Sequence, residues 1–325
     1  MNRNSRLNLQ RFAEGSMVSR EDAGALIPEQ ISREIIQSAV QGSAVLQLGR
    51  KLPNMTSNKT SMPVLDMLPL AYFVNGEPGT KQTSRQAWDK KIIYAEEIAV
   101  IIPIPEAVLD DADYDLWGEI KPRVAEAFAN KIDGAILFGV DKPTKWRDDI
   151  VTTATAAGAK KNLTDDLYND IMGEGGTIAS IEKSGYLPNG YIGDVTMRAK
   201  LRSLVDKNGH PLFKSDMQGS TQYALDGGPM HFPLNGAFDA TKALMIGGDF
   251  KQLVYSIRQD ITYKIFTEGV IQDPSTKEIV YNLMQNDMVA LRAVMRLGWE
   301  IPNPVNLMEK NKTKRCPFSV LLPSL

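Results

Sequence analysis

Toward the end of the chain, Val289, Leu291, Ala293, Met295, Leu297, Trp299 and Ile301 all fall on odd positions, with Arg292, Arg296 and Glu300 between them. That alternation is the period of a half-buried strand, not of a helix. A strand so late in the chain pairs with earlier strands. The C-terminal part therefore returns to the first domain, and the segment between is an insertion. A different period governs residues 113–139. Ile120, Val124, Ala127, Phe128, Ile132, Ala135 and Ile136 make one apolar stripe, which predicts an amphipathic helix. Pro122 is expected in its first turn, where a missing N–H is harmless, and Gly139 is expected to end it.

Upstream, Ile31, Ile35, Ile36 and Val40 have helical spacing, and Gly49 to Asn54 breaks it. Thr60 to Leu65 reads as a short strand. Leu70 to Val74 is strand-like, Asn75 to Trp88 is polar and turn-rich, and Asp89 to Ile104 is a β-branched run. Asn75-Gly76 and Glu77-Pro78-Gly79 are the turn signals. Together they predict a long hairpin with an exposed tip. Such a protrusion gains little from its own core, so it points to function or assembly.

From Val151 to Val280 short helices and strands are mixed. Thr164 is placed as the cap of a helix carrying Leu167 and Ile171, with Gly173, Gly175 and Gly176 interrupting it. Tyr191-Ile192-Gly193 is a short strand. Val195 to Lys207 is a helix with Met197, Leu201, Leu204 and Val205 inward, ended at Asn208-Gly209. Leu253, Tyr255 and Ile257, then Ile261, Tyr263 and Ile265, alternate as strands do, and Asp273-Pro274-Ser275 is a turn. After Pro302 the chain is polar, then basic, with a short apolar end.

Composition narrows the function classes. The chain has 325 residues, 43% hydrophobic and 23% charged, an ordinary globular balance long enough to bury a core. A single cysteine, Cys316, excludes an internal disulfide scaffold. The formal charge of −2 argues against a strongly basic nucleic-acid binder. The longest nearly unbroken apolar run, Ile98 to Pro105, is far shorter than the ~18 residues a membrane helix needs. With two histidines and one cysteine, most zinc and Cys/His catalytic centres lack their parts.

The candidate chemical motifs fail one by one. Asp111, Asp113 and Asp115 have the spacing that opens an EF-hand, but Leu116 stands where glycine is needed and Pro122 where the bidentate Glu is needed. Gly173 to Thr177 has no Gly-Lys-Ser/Thr, and Gly247-Gly248-Asp249 lacks the dinucleotide fingerprint. His210 and His231 adjoin turn-like sequence with no carboxylate motif between them. No Gly-x-Ser-x-Gly elbow exists. Lys314-Arg315 before Cys316 could lower its pKa, yet a thiol in a loose tail reads as incidental. No catalytic, cofactor or metal residues are therefore assigned.

The ends of the chain are basic and the body acidic. Arg3, Arg6, Arg11 and Glu14 give the first 15 residues +2; Lys310, Lys312, Lys314, Arg315 and Glu309 give residues 309–325 +3; the rest is −7. Basic tails on an acidic body suit weak, sequence-blind contact with a polyanion.

Several segments, in order, resemble one family. Leu7 to Glu14 and Val18 to Pro28 are similar to an arm and its entry into the first helix. Ala95 to Glu106 is similar to the return strand of an extended loop. Ala125 to Gly139, ending Asp133-Gly134-Ala135-Ile136-Leu137-Phe138-Gly139, resembles a long spine helix. Asn286 to Ala293 resembles a closing strand. The family is that of the major capsid proteins of tailed bacteriophages, with the Hong Kong 97-type (HK-97-type) fold, and the similarity spans roughly residues 17–303.

The resemblance implies an α+β fold with an N-terminal arm (1–52), a peripheral domain (53–150) carrying an extended β-hairpin loop (66–100) and spine helix (113–139), an inserted axial domain (151–280), a closing strand (281–303) and a C-terminal tail (304–325). It implies self-assembly through pentamers and hexamers into an icosahedral shell around double-stranded DNA, with no enzymatic activity and no cofactor. Implied partners are other copies of the chain, a separate scaffolding protein, a portal and, non-specifically, the packaged DNA, with no membrane. Assembly is expected in the host bacterial cytoplasm. Asn75, Gly76, Glu77, Lys81, Arg85 and Trp88, at the loop tip, are the expected inter-subunit contacts. Lys81 is available for crosslinking, but none is inferred. The alternatives are an encapsulin-type nanocompartment around protein cargo, a soluble enzyme, and a monomeric binding module using the hairpin.

Overall fold

In the computed structural model, residues 42–69, 71, 83–110, 116–205 and 223–324 are described. In chain order, α1 (Ala44–Leu48) and β1 (Arg50–Lys51) precede an antiparallel pair, β2 (Lys59–Met67) and β3 (Ala87–Tyr94). Then come β4 (Glu96–Pro105), α2 (Glu106–Asp110), α3 (Leu116–Phe138), α4 (Ile150–Ala157), β5 (Lys160–Asn162), α5 (Leu167–Met172) and α6 (Thr177–Lys183). They are followed by β6 (Gly190–Gly193), α7 (Met197–Arg202), β7 (Ala224–Leu225), β8 (Gly228–His231), β9 (Met245–Gly248) and β10 (Val254–Phe266). β11 (Val270–Gln272), β12 (Ile279–Asn282), β13 (Met288–Glu300) and β14 (Phe318–Leu322) complete the chain. One sheet has the order β1-β10-β13-β4 and another the order β5-β14-β9-β6-β8-β7.

Two compact units result. The smaller takes in Glu97–Phe128 and Gln259–Arg296. Its core packs Leu283, Met288 and Ala290 against Phe266, Ile271 and Tyr281. The larger takes in Val40–Glu96, Ala129–Arg258 and Leu297–Leu325. Its six-stranded sheet carries a core of Ile171, Tyr191, Met197, Leu201, Met245 and Leu321, all essentially inaccessible to water.

The long helix stands where its stripe placed it, except that Ala127, expected on the apolar face, is exposed while Ala125 and Ala129 are buried. Val124, Phe128, Ile132 and Ile136 are buried, and Gly139, at φ 69°, stops it. The described helix begins at Leu116, so Pro122 lies inside it rather than in its first turn. On the buried side Asp133 accepts four donors: Ser43 Oγ at 2.5 Å, Ala44 N at 3.1 Å, Val45 N at 3.2 Å and Asn235 Nδ2 at 2.9 Å. Ser43 Oγ in turn accepts from Leu46 N and caps α1. One carboxylate thus holds the start of α1 and the Asn235 loop on the helix. Burial raises its pKa, and the donors oppose that shift.

Several expectations need correction. The β-branched run Asp89 to Ile104 is not one strand. It breaks at Ala95, whose N–H donates to Asn58 O at 2.9 Å, and its halves join different sheets. The strand paired with β3 is β2, and most of the expected strand Leu70 to Val74 lies outside the described residues. Thr164 does not cap α5. Asp166 does, while Thr164 donates its N–H and hydroxyl to Asp170. α7 is shorter than expected, and Val205 is 55% exposed rather than inward. β13 is buried on both faces, Ala290 and Val294 included, rather than half-buried.

The largest correction concerns residues 304–325. They are not a loose tail. β14 lies between β5 and β9, parallel to the first and antiparallel to the second. Phe318, Val320 and Leu321 are fully buried. The expected boundaries at 280 and 304 therefore differ from the observed units. β10 continues past Arg258 into the smaller unit, and the chain end belongs to the larger. The sequence pattern missed β14 because its apolar stretch is short and its partners are distant in sequence.

Cys316 precedes β14 and is 1% exposed. Burial pushes its thiol up to about 11, against the lowering expected from its basic neighbours. A maleimide is therefore expected to leave the native thiol unlabelled over hours and to label it fully in denaturant. Rapid native labelling would show that the chain end opens readily.

Candidate inter-subunit surface

Side chains on a strand alternate between faces, so the β2–β3 register sorts the hairpin into two. Pairing runs from Lys59 opposite Tyr94 to Met67 opposite Ala87, with an irregularity between Leu65 and Met67. Met62, Val64 and Ile93 form the inner face. Ile93 and Val64 are buried, and Ile93 packs with Met55 and Val254. Pro63, Leu65, Trp88, Lys90 and Ile92 form the outer face, where Trp88 is 64% exposed and Leu65 and Ile92 half-buried. Within the larger unit a two-stranded ribbon thus carries apolar side chains on both faces, and the outer one is open.

Trp146 pins the root of the ribbon, and its neighbours Lys145 and Arg147 hold the adjoining strands. Trp146, buried, donates its indole N–H to Tyr94 O at 3.1 Å. It packs edge-on against Trp299, with ring centroids 6.3 Å apart. Arg147 donates to Glu300 Oε1 at 2.8 Å and to Ile301 O at 3.0 Å, and its guanidinium lies 5.9 Å from the Trp299 ring centre. Lys145 Nζ is 3.4 Å from Glu96 Oε1. At Gly298 the ribbon crosses so closely that a Cβ would stand 2.4 Å from Tyr94 O. Lys145, Trp146, Arg147 and Gly298 were not singled out from the sequence, and Trp299, Glu300 and Ile301 were read only as strand positions. A glycine inside the period-2 run was the available signal, since mid-strand glycine marks close backbone approach.

Of the expected contact residues, Asn75, Gly76, Glu77 and Lys81 lie outside the described residues. Arg85 is exposed just before β3. Trp88 is not at the tip but in β3, opposite Leu65. The basic C-terminal cluster is not free either. Lys312 pairs with Asp66 and Asp89, and Arg315 is buried against Asn303. Lys310 and Lys314 remain exposed.

The chemical inventory of the described residues is sparse. No three His, Cys, Asp or Glu side chains among them converge as metal ligands. His231 is partly buried, which lowers its pKa, and His210, Asp111, Asp113 and Asp115 lie outside the described residues. No described helix is long and apolar enough to cross a membrane.

The sequence-family model described as the phage capsid family matches residues 23–308. The chain belongs to the phage capsid family. The major capsid protein of Staphylococcus phage 80alpha is 29% identical over 309 residues, covering 91% of each chain. A solved structure from Microbacterium phage Oxtober96 superposes with a TM-score of 0.76 at 29% identity, over 98% of this chain and 100% of that one. One from Mycobacterium phage Cain gives 0.75 at 30%, over 95% and 99%. This capsid chain has the α+β, Hong Kong 97-type fold expected from its sequence. It is a structural shell protein of a tailed phage, and the encapsulin alternative is not favoured.

Proposed function

We propose that this capsid protein assembles through pentamers and hexamers into an icosahedral shell around double-stranded DNA, and that the β2–β3 ribbon is the extended loop lying over a neighbouring copy. The open apolar outer face of that ribbon, with Trp88 at 64% exposure, carries this reading. A single chain has no use for an uncovered tryptophan on a protruding ribbon, and aromatic anchors dominate protein interfaces. Asn75, Gly76, Glu77, Lys81, Arg85 and Trp88 are the proposed contacts. On the same reading α3 is the spine of the peripheral domain and the six-stranded sheet is the axial domain. A separate scaffolding protein and a portal complete the set of partners, and assembly takes place in the host cytoplasm. Contact with DNA falls to the basic N-terminal arm together with Lys310 and Lys314, because Lys312 and Arg315 are engaged within the chain.

The test is negative-stain electron microscopy beside sedimentation velocity, on the protein alone and with candidate scaffolding proteins. Closed shells, or pentamers and hexamers, are expected. A strict monomer under every condition would return the chain to the binding-module reading. Trp88→Ala is expected to lower shell yield at least about fivefold, the loss typical of an interface anchor. The melting temperature of the unassembled chain should stay within about 1 °C, as for other exposed substitutions. Undiminished yield would remove Trp88 from the interface.

A further inference from the structure

The ribbon is also held by a segment more than 200 positions away in sequence. Val305 N donates to Leu65 O at 2.9 Å, extending the edge of β2. Lys312 Nζ lies 2.7 Å from Asp89 Oδ2 and 3.4 Å from Asp66 Oδ1. Asp66 stands on β2 and Asp89 on β3, so one ammonium bridges both strands. The hydrogen bond from Lys312 holds Asp89 below the usual carboxylate range, and Asp89 in turn holds Lys312 above the usual ammonium range.

The segment that presents Lys312 is rigidly built. Arg315, 3% exposed, donates to Asn303 Oδ1 at 3.0 Å, Asn303 O at 3.1 Å and Glu309 O at 2.9 Å. This closes residues 303–315 into a loop. Tyr186 OH donates to Asn303 Oδ1 at 2.8 Å, and Asn306 Nδ2 donates to Ser184 O at 2.8 Å, tying that loop to the end of α6. The anchor is therefore buried and satisfied, while the Lys312 side chain is 51% exposed. A buried anchor with an exposed ionic tip is the construction of a strap that can let go without unfolding.

We propose that residues 303–315 are a strap across the ribbon, with Lys312 as a releasable latch that holds both strands in the arrangement offered to a second copy of the chain. The last step rests on the assembly reading; the latch itself does not. An exposed ion pair adds little to global stability. A two-stranded ribbon is marginal by itself, however, so a small term shifts its local opening.

Hydrogen exchange on the unassembled full-length chain tests the latch. In Lys312→Glu, amides of β2 and β3 are expected to exchange about fivefold faster, the scale of one exposed ion pair. Those of β9 and β14 should stay within about twofold, since distinct regions open independently. Adding about 0.5 M salt to the wild type should reproduce part of the loosening by screening. The charge-swapped chain, Lys312→Glu with Asp66→Lys and Asp89→Lys, should restore slow exchange. Unchanged ribbon exchange, failure of the swap to restore it, or equal acceleration in β14 would each overturn the latch. Loosened exchange with full shell yield would overturn its link to a second copy. Absence of shells from the wild type would count against the assembly reading instead, because the exchange is read before assembly.

Discussion

Removal of residues 316–325 is expected to abolish folding of the larger unit. The deleted stretch contains β14, which sits between β5 and β9. Phe318, Val320 and Leu321 are each fully buried there. Fully burying such a side chain contributes about 2 kcal/mol, so the three together amount to ~6 kcal/mol. The strand also accepts from Leu244 N through Leu321 O and from Leu163 N through Leu322 O, and donates from Val320 N to Ala159 O. Its loss exposes the edges of β5 and β9 as well. A typical domain has only about 5–15 kcal/mol in total, so the remainder cannot hold. Far-UV circular dichroism and soluble yield are the readouts. Insoluble protein, or no cooperative melt, is expected. A melt within about 5 °C of the full chain would show the strand to be dispensable. Deleting this end is therefore no test of contact with DNA, since any loss of packaging would follow from unfolding.

The same strand shows where the sequence was legible and where it was not. β13 and α3 were readable because each repeats its apolar period over a long stretch, so the pattern outweighs any single residue. β14 has only five residues, nearly all apolar, after a polar loop, and a short apolar run carries no period. Its identity as a strand depends on β5 and β9, which local sequence does not contain. The hairpin was legible as a strand pair because turn residues cluster between two extended segments. Its register was not, because Thr60 to Leu65 and Leu70 to Val74 both read as strands. Trp88 was readable as a contact candidate from residue type alone. The strap was not: Lys312, Arg315 and Asn303 look like any polar loop until Asp66 and Asp89 are brought beside them. Asp133 likewise looks like a solvated helix position until the Ser43 segment and Asn235 close over it.

Gly298→Ala is expected to cost about 3 kcal/mol, the upper end for forcing extra atoms into a packed site. The new Cβ would stand 2.4 Å from Tyr94 O and 2.7 Å from Ile93 Cγ2. Neither neighbour can step aside freely. Tyr94 O accepts the Trp146 indole N–H, and Ile93 is fully buried at the base of the ribbon. Either β13 bends or the ribbon root lifts and releases Trp146 from its acceptor. For a unit of this size about 2–4 °C is lost per kcal/mol, so the melting temperature should fall by roughly 6–12 °C. Gly298→Val, with two more carbons on the same backbone, should fall further or fail to fold. The variant also separates two roles of the ribbon. If its root sets the direction in which Trp88 is presented, shell yield should drop even at temperatures where Gly298→Ala remains folded. Folded protein with full shell yield would show that the crossing at Gly298 serves stability alone. An unchanged melting temperature would show that the backbone at Tyr94 yields without loss, and that the close approach is not a constraint on the fold.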